Sequence, residues 1–158
     1  MTSKEARERY GPIVDGVWRD EANWCVFLDI PNDIAADWIN TATGKPLGSK
    51  NDKRDLYINK DMAPALLMAL DLLKTRGLFG ELKTYDGCLM VRDVRGVPGQ
   101  LSTHAYALAI DLNASENRLG RDPKLSKDFV ACFKEAGFTW GGDFWRKDGM
   151  HFSFAWEG

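Results

Sequence analysis

His104 and Asp111 stand seven residues apart in Ser102-Thr103-His104-Ala105-Tyr106-Ala107-Leu108-Ala109-Ile110-Asp111. No other spacing constrains the chain so much. On a straight helix the two would lie about 10 Å apart along the axis, at a rise of about 1.5 Å per residue. In a straight strand they would be over about 20 Å apart, at roughly 3.3 Å per residue. Neither geometry brings both side chains to one point. The spacing therefore predicts a bend, with His104 on a loop and Asp111 on a strand. Ala107, Ala109, Asp111 and Asn113 then face one side, and Leu108, Ile110 and Leu112 the other. The only other histidine also sits beside a carboxylate, in Asp148-Gly149-Met150-His151-Phe152. The run from His151 to Trp156 alternates like a strand, with Lys147-Asp148-Gly149 as the turn before it.

Two histidines and one carboxylate supply the three nitrogen and oxygen ligands of a catalytic zinc, which keeps a further position open. Residue types alone leave two readings open: two unrelated histidines, or ligands of one shared ion. On the second reading His104, Asp111 and His151 hold one zinc ion, and Asp148 is the acid/base beside it. A carboxylate so placed can take a proton from water and pass it to a leaving amine. Small alanines around the first two ligands leave room for ion and substrate.

The chain has 158 residues and a net charge of −2, so it suits one domain, residues 1–158, and shows no basic field for nucleic acid. No separate binding module and no internal repeat is visible. Cys25, Cys88 and Cys132 are widely spaced and odd in number, and read as buried free thiols from a reducing compartment. The N-terminal stretch is charged and lacks the apolar core of a secretory signal. No segment reaches the length of a membrane span, so insertion is not expected. A monomer is expected.

Punctuation gives the elements. A short polar helix is expected over 2–10, a strand over 24–28, a helical turn over 33–39 and a loop over 41–54. The clearest helix is 61–76, capped by Asp61, with Pro64 in its first turn. Met62, Leu66, Leu67, Ala69, Leu70 and Leu73 form its apolar face, and Gly77 ends it. Residues 82–91 read as a strand broken by a turn or bulge at Tyr85-Asp86-Gly87. A polar loop follows over 113–123. Ser126 caps a second helix, 126–136, which buries Phe129, Val130 and Phe133. A strand at 138–140 runs into Gly141-Gly142. Most of the six tryptophans are expected in the core, with Trp140 and Trp145 nearest the cleft.

Ser102-x-His104-x(6)-Asp111 followed by Asp148-x-x-His151-Phe152 resembles the zinc D-alanyl-D-alanine carboxypeptidase family. That family includes the L-alanyl-D-glutamate endopeptidases of phage endolysins and is related to the hedgehog signalling domain. Trp140-Gly141-Gly142, Arg92-x-x-Arg95-Gly96 and Asn59-Lys60 fit its pattern too, so the resemblance spans roughly residues 55–155. A family glycine falls on Ala107, a mild change if φ there is negative. The resemblance implies zinc ligands His104, Asp111 and His151, and Asp148 as base. It implies an arginine, Arg92 before Arg95, to steady the oxyanion. Ser102, and Trp140 near the cleft, would touch substrate. The expected fold is α+β: a small, mostly antiparallel sheet with helices packed against it and zinc in an open cleft. The expected activity is hydrolysis of peptide bonds in peptidoglycan stem peptides, by an L-alanyl-D-glutamate endopeptidase of the phage-endolysin type that is made in the cytoplasm and acts on the wall after phage-type release. The alternatives are a D-alanyl-D-alanine carboxypeptidase or dipeptidase, a non-catalytic zinc-binding module, and a metal-free binding domain.

Overall fold

The structure is a computed structural model that describes residues 1–47 and 55–154. The chain opens with α1 (Ser3–Tyr10), the short hairpin β1 (Ile13–Val14) and β2 (Val17–Trp18), the helical turn α2 (Glu21–Trp24) and β3 (Cys25–Asp29). Next come the turn α3 (Asn32–Ala35), β4 (Ile39–Asn40), β5 (Lys45–Pro46), β6 (Asp55–Asn59) and the long helix α4 (Ala63–Thr75). The second half holds β7 (Thr84–Gly87), β8 (Asp93–Val94), β9 (Val97–Leu101), β10 (Ala109–Leu112), α5 (Lys127–Glu135), β11 (Phe138–Trp140) and β12 (His151–Phe154).

The main sheet has six strands in the order β11-β12-β10-β7-β4-β5. Every pair is antiparallel except β4 with β7. The expected mixed architecture with a mostly antiparallel sheet is therefore present. Strands β3 and β6 form a separate antiparallel pair, as do β8 and β9. Helices α4 and α5 pack on each other, and α5 packs on β11. Phe129 and Phe133 stack at 5.4 Å between ring centres, and Phe133 meets Phe152 of β12 at 4.5 Å. Aromatic packing thus fixes the strand that carries His151.

Local chemistry accounts for the helix ends. Thr2 accepts from the Glu5 amide while Glu5 accepts from the Thr2 amide, a reciprocal cap. The Ser126 hydroxyl accepts from the Phe129 amide, as expected. Asp61 does not cap α4: its carboxylate instead accepts from Arg9 and from the Tyr10 hydroxyl. Leu66, Ala69, Leu70 and Leu73 are buried at the three- and four-residue spacing of one face, which leaves Leu67 outside it and 41 % exposed.

Three other expectations change. Tyr85-Asp86-Gly87 is strand rather than a break, with the register shift lying opposite Asp111 and Leu112. Residues 88–91 are not strand. The expected loop over 41–54 contains β5 in its first half, and residues 48–54 lie outside the described part. All three cysteines are free and buried. Trp18 and Trp38 are core residues, Trp24 and Trp140 are half-buried, and Trp145 is wholly exposed.

Candidate metal centre and its cleft

The predicted bend exists. Residues Thr103–Tyr106 form a single 3-10 turn, and Ala107 closes it with φ of 52° before β10 begins. The condition under which alanine would be a mild change at this position, a negative φ, is thus not met. The left-handed conformation lets seven residues turn back on themselves, and it is a region where an L side chain costs about 1–2 kcal/mol. Asn59 locks the bend from outside. Its buried side chain donates to the Tyr106 carbonyl at 3.1 Å, and its amide donates to the Ala107 carbonyl at 3.1 Å. The Ser102 hydroxyl accepts from the His104 amide at 3.3 Å. Ser102 therefore caps the turn and also lines the cleft.

The bend brings His104 Nε2 to 3.2 Å from Asp111 Oδ1. Across the ladder, His151 Nδ1 lies 3.1 Å from His104 Nε2 and 3.5 Å from Asp111 Oδ1. All three residues are buried. Tetrahedral ligands at zinc bond lengths stand about 3.3–3.4 Å from one another, so the three atoms are spaced as one ion would space them. The surroundings agree. His104 Nδ1 donates to the Cys88 carbonyl at 2.7 Å, leaving a lone pair on Nε2. With Nδ1 of His151 turned to the cluster, Nε2 stands 3.3 Å from the Thr103 hydroxyl, which accepts from it when Nε2 carries the ring proton. In that tautomer three acceptors converge with no donor among them, a donor set that fits a cation. Neither Thr103 nor the Cys88 carbonyl was identified from the sequence. Thr103 had one signal, its place between Ser102 and His104, while a backbone carbonyl has none.

The electrostatics follow from burial. Burial pushes the Asp111 carboxyl up, but whenever a ring proton of His104 or His151 faces the cluster, its hydrogen bond and charge outweigh burial and hold the carboxyl well below the usual range. Asp148 goes the other way. Burial raises it, His151 lowers it, Asp111 raises it further, and the net direction is up. Its backbone is tied at both sides: the Asp148 amide donates to the Gly141 carbonyl at 2.9 Å, and its carbonyl accepts from the His151 amide at 3.1 Å. Gly141 has to be glycine at this contact. A Cβ there would lie 2.3 Å from the Asp148 oxygen and 3.0 Å from the His151 Cβ.

A cleft of about 540 Å³ opens over the cluster. Asp111, His151, Asp148, Ser102, Arg92 and Arg95 all line it. Arg92 is half-buried and its charge reaches Asp148, whereas Arg95 is exposed on the β8–β9 turn. Trp140 is not among the lining residues. Its indole N–H donates to the Gly149 carbonyl at 2.8 Å, so it braces the turn before His151. Trp145 and Arg146 line the cleft in its place, and Arg146 carries no sequence signal beyond its charge.

Fold and site together define a class: a mixed α/β domain with a buried His-Asp-His cluster able to bind a metal at the floor of an open cleft. Residues 95–154 match the model of a family described as D-alanyl-D-alanine carboxypeptidase. The resemblance read from the sequence holds over that segment, which contains all three ligand candidates and Asp148. The family is one of zinc-dependent peptidases, so the match supports a peptidase. Arg92 and Asn59 lie outside the matched residues. No curated protein and no solved structure matches the chain.

Proposed function

We propose that the protein is a zinc peptidase that hydrolyses peptide bonds in peptidoglycan stem peptides, as an L-alanyl-D-glutamate endopeptidase of the phage-endolysin type. The observation that carries the reading is the convergence of three lone-pair ligands 3.1–3.5 Å apart beside the raised carboxyl of Asp148. His104, Asp111 and His151 would hold the ion, which when bound supplies Lewis acidity to the scissile carbonyl and lowers the pKa of water there.

The chain's own groups do the rest. Asp148 takes a proton from the attacking water and returns it to the leaving amine as the C–N bond breaks. The elevated pKa of Asp148 suits both halves of that exchange. Arg92 steadies the negative charge that develops on the carbonyl oxygen. Its Nε is buried with no hydrogen-bond partner among the described residues, so a donor is free at the edge of the cleft. Action on the wall after release from the producing cell is part of the proposal. The second reading, a D-alanyl-D-alanine carboxypeptidase, rests on the description of the matched family.

The test is clearing of purified peptidoglycan with and without a chelator, followed by mass spectrometry of the released ends. Chelator-sensitive clearing with new L-alanine carboxyl ends is expected. Release of terminal D-alanine alone would favour the carboxypeptidase. One zinc per chain without cleavage would overturn the peptidase reading in favour of a binding module.

A further inference from the structure

The cleft has two walls of similar make. One is the β8–β9 hairpin, which contributes Val94, Arg95 and Val97. The other is the segment between β11 and β12, which contributes Phe144, Trp145 and Arg146. Each wall therefore presents apolar surface with an exposed arginine at the rim. Among the described residues neither Arg95 nor Arg146 makes an ion pair, although six other lysine and arginine side chains pair with carboxylates, so partners are readily found elsewhere. Among the described residues the only carboxylates lining the cleft are Asp111 and Asp148, both committed at its floor. The whole chain carries a net charge of −2, so a cationic rim is a local departure from the molecule's balance.

Trp145 adds an independent sign. It is 101 % exposed, and Phe144 beside it is 40 % exposed while its ring stands 6.0 Å from that of His151. An unpacked tryptophan next to an arginine, at the mouth of a cleft, has the composition of a contact surface.

We infer that Arg95 and Arg146 form a carboxylate-recognising clamp across the mouth of the cleft, with Trp145 as its apolar floor, so that the site selects peptides bearing a free acidic group beside the scissile bond. The inference deepens the peptidase reading and rests on it for the identity of the substrate. Guanidinium groups suit this task because they meet a carboxylate through paired hydrogen bonds and stay charged at any working pH. The clamp acts on binding, since neither arginine touches the cluster or Asp148 through a described hydrogen bond. Arg92, half-buried and near Asp148, is separate from it.

The test uses the zinc-loaded full chain and two synthetic peptides: an L-alanyl-D-glutamate stem peptide with free carboxylates, and its counterpart with those groups amidated. Binding is measured by calorimetry and cleavage by mass spectrometry, each at two salt concentrations. The free acid is expected to bind about tenfold more tightly than the amide, the scale of a charge-assisted contact, with the preference shrinking in high salt. Arg146→Gln should lose several-fold in affinity for the free acid and little for the amide, and the double variant with Arg95→Gln should lose the preference. Both side chains are exposed, so the variants fold. Equal binding of the two peptides by the unaltered protein, or a preference that survives the double variant, would overturn the clamp. Cleavage without charge preference refutes the clamp and leaves the peptidase reading standing. Charge-selective binding without cleavage does the reverse, and failure to bind either peptide refutes both.

Discussion

Asp111 and His151 are directly opposed residues of the antiparallel β10–β12 ladder, with Ile110 opposite Phe152 and Ala109 opposite Ser153 on the same register. Opposed side chains on one face lie about 4.5–5.5 Å apart at Cβ, so the ladder alone brings two ligands within reach of one ion. Only His104 has to be delivered by a bend. A one-residue slip of β12 would turn His151 to the other face and place Phe152 in the cleft. The phenylalanine packing behind Phe152 opposes that slip.

Thr103 orients His151 without touching the ion site itself. Removing its hydroxyl leaves the imidazole Nε2–H unpaired and the ring free to rotate. Thr103→Val should weaken zinc binding about 10–100-fold, the usual effect of losing a partner of a ligating histidine. Thr103→Ser should retain most of the affinity. Competition against a chromophoric chelator measures both, and equal affinity in all three proteins would show that Thr103 holds nothing.

Ala107 gives a stability test with an internal control. Replacing it by glycine removes a buried methyl, which costs about 0.8 kcal/mol, and adds unfolded-state freedom worth about 0.4–1 kcal/mol. It also relieves left-handed strain of about 1–2 kcal/mol, so the sum falls near zero. Ala109 is equally buried but lies in β10 without positive φ. Ala109→Gly should therefore cost about 1–2 kcal/mol, with no strain to offset the loss. Thermal unfolding of the two variants decides it. Equal destabilisation would mean Ala107 carries no strain.

These cases show how far the sequence could be read. The clustering of His104, Asp111 and His151 was legible because chemistry limits the candidates: the chain has two histidines, and each sits beside an acid. The bend was legible because no regular element spans seven residues to one point. The sign of φ at Ala107 was not, because alanine gives no local signal for the left-handed region and the closure with Asn59 is made in three dimensions. Trp140 misled for a similar reason. An aromatic next to two glycines reads as cleft lining, yet its N–H is drawn inward by the Gly149 carbonyl. Asp61 read as a helix cap by position alone, and two long-range partners, Arg9 and Tyr10, outbid the local use of its carboxylate.

The thiols predict behaviour on the alkaline side. Burial pushes Cys25 up to about 12 and Cys88 well above its ordinary value of 9.0. Tyr10 is likewise pushed up to about 12, by burial first and then by its bond to Asp61. In each case the folded state holds its proton more tightly than the unfolded chain. The corresponding stability is complete below about pH 9 and drains away as pH rises towards 12. Denaturant midpoints should hold steady from pH 7 to 8.5 and fall at pH 10 and above. Native thiols should also react slowly with a disulfide reagent at pH 8 and all at once on unfolding. Rapid reaction of the native protein would contradict the burial.

Gly141→Ala tests whether the acid and the ligand are placed by one contact. The new methyl cannot fit 2.3 Å from the Asp148 oxygen, so the Asp148–His151 turn must move. A displacement near 1 Å at reacting groups costs on the order of 10²-fold in rate. Activity should drop by at least that much while the far-ultraviolet spectrum stays native. Full activity would mean the turn has slack that the close approach of Gly141 does not suggest.

Asp148→Ala separates chemistry from metal binding. Asp148 is not one of the three converging ligands, and its backbone contacts to Gly141 and His151 do not need the carboxylate. The variant should bind zinc at one ion per chain with affinity close to the parent's. Hydrolysis should fall by about 10²–10⁴-fold, the usual contribution of a positioned acid–base group. Asp148→Asn should be as inactive, since the amide keeps the shape but cannot accept the proton. Metal analysis and peptide cleavage on the same preparations give the answer. Loss of zinc along with activity would make Asp148 a ligand, and retained activity would place the base elsewhere in the cleft.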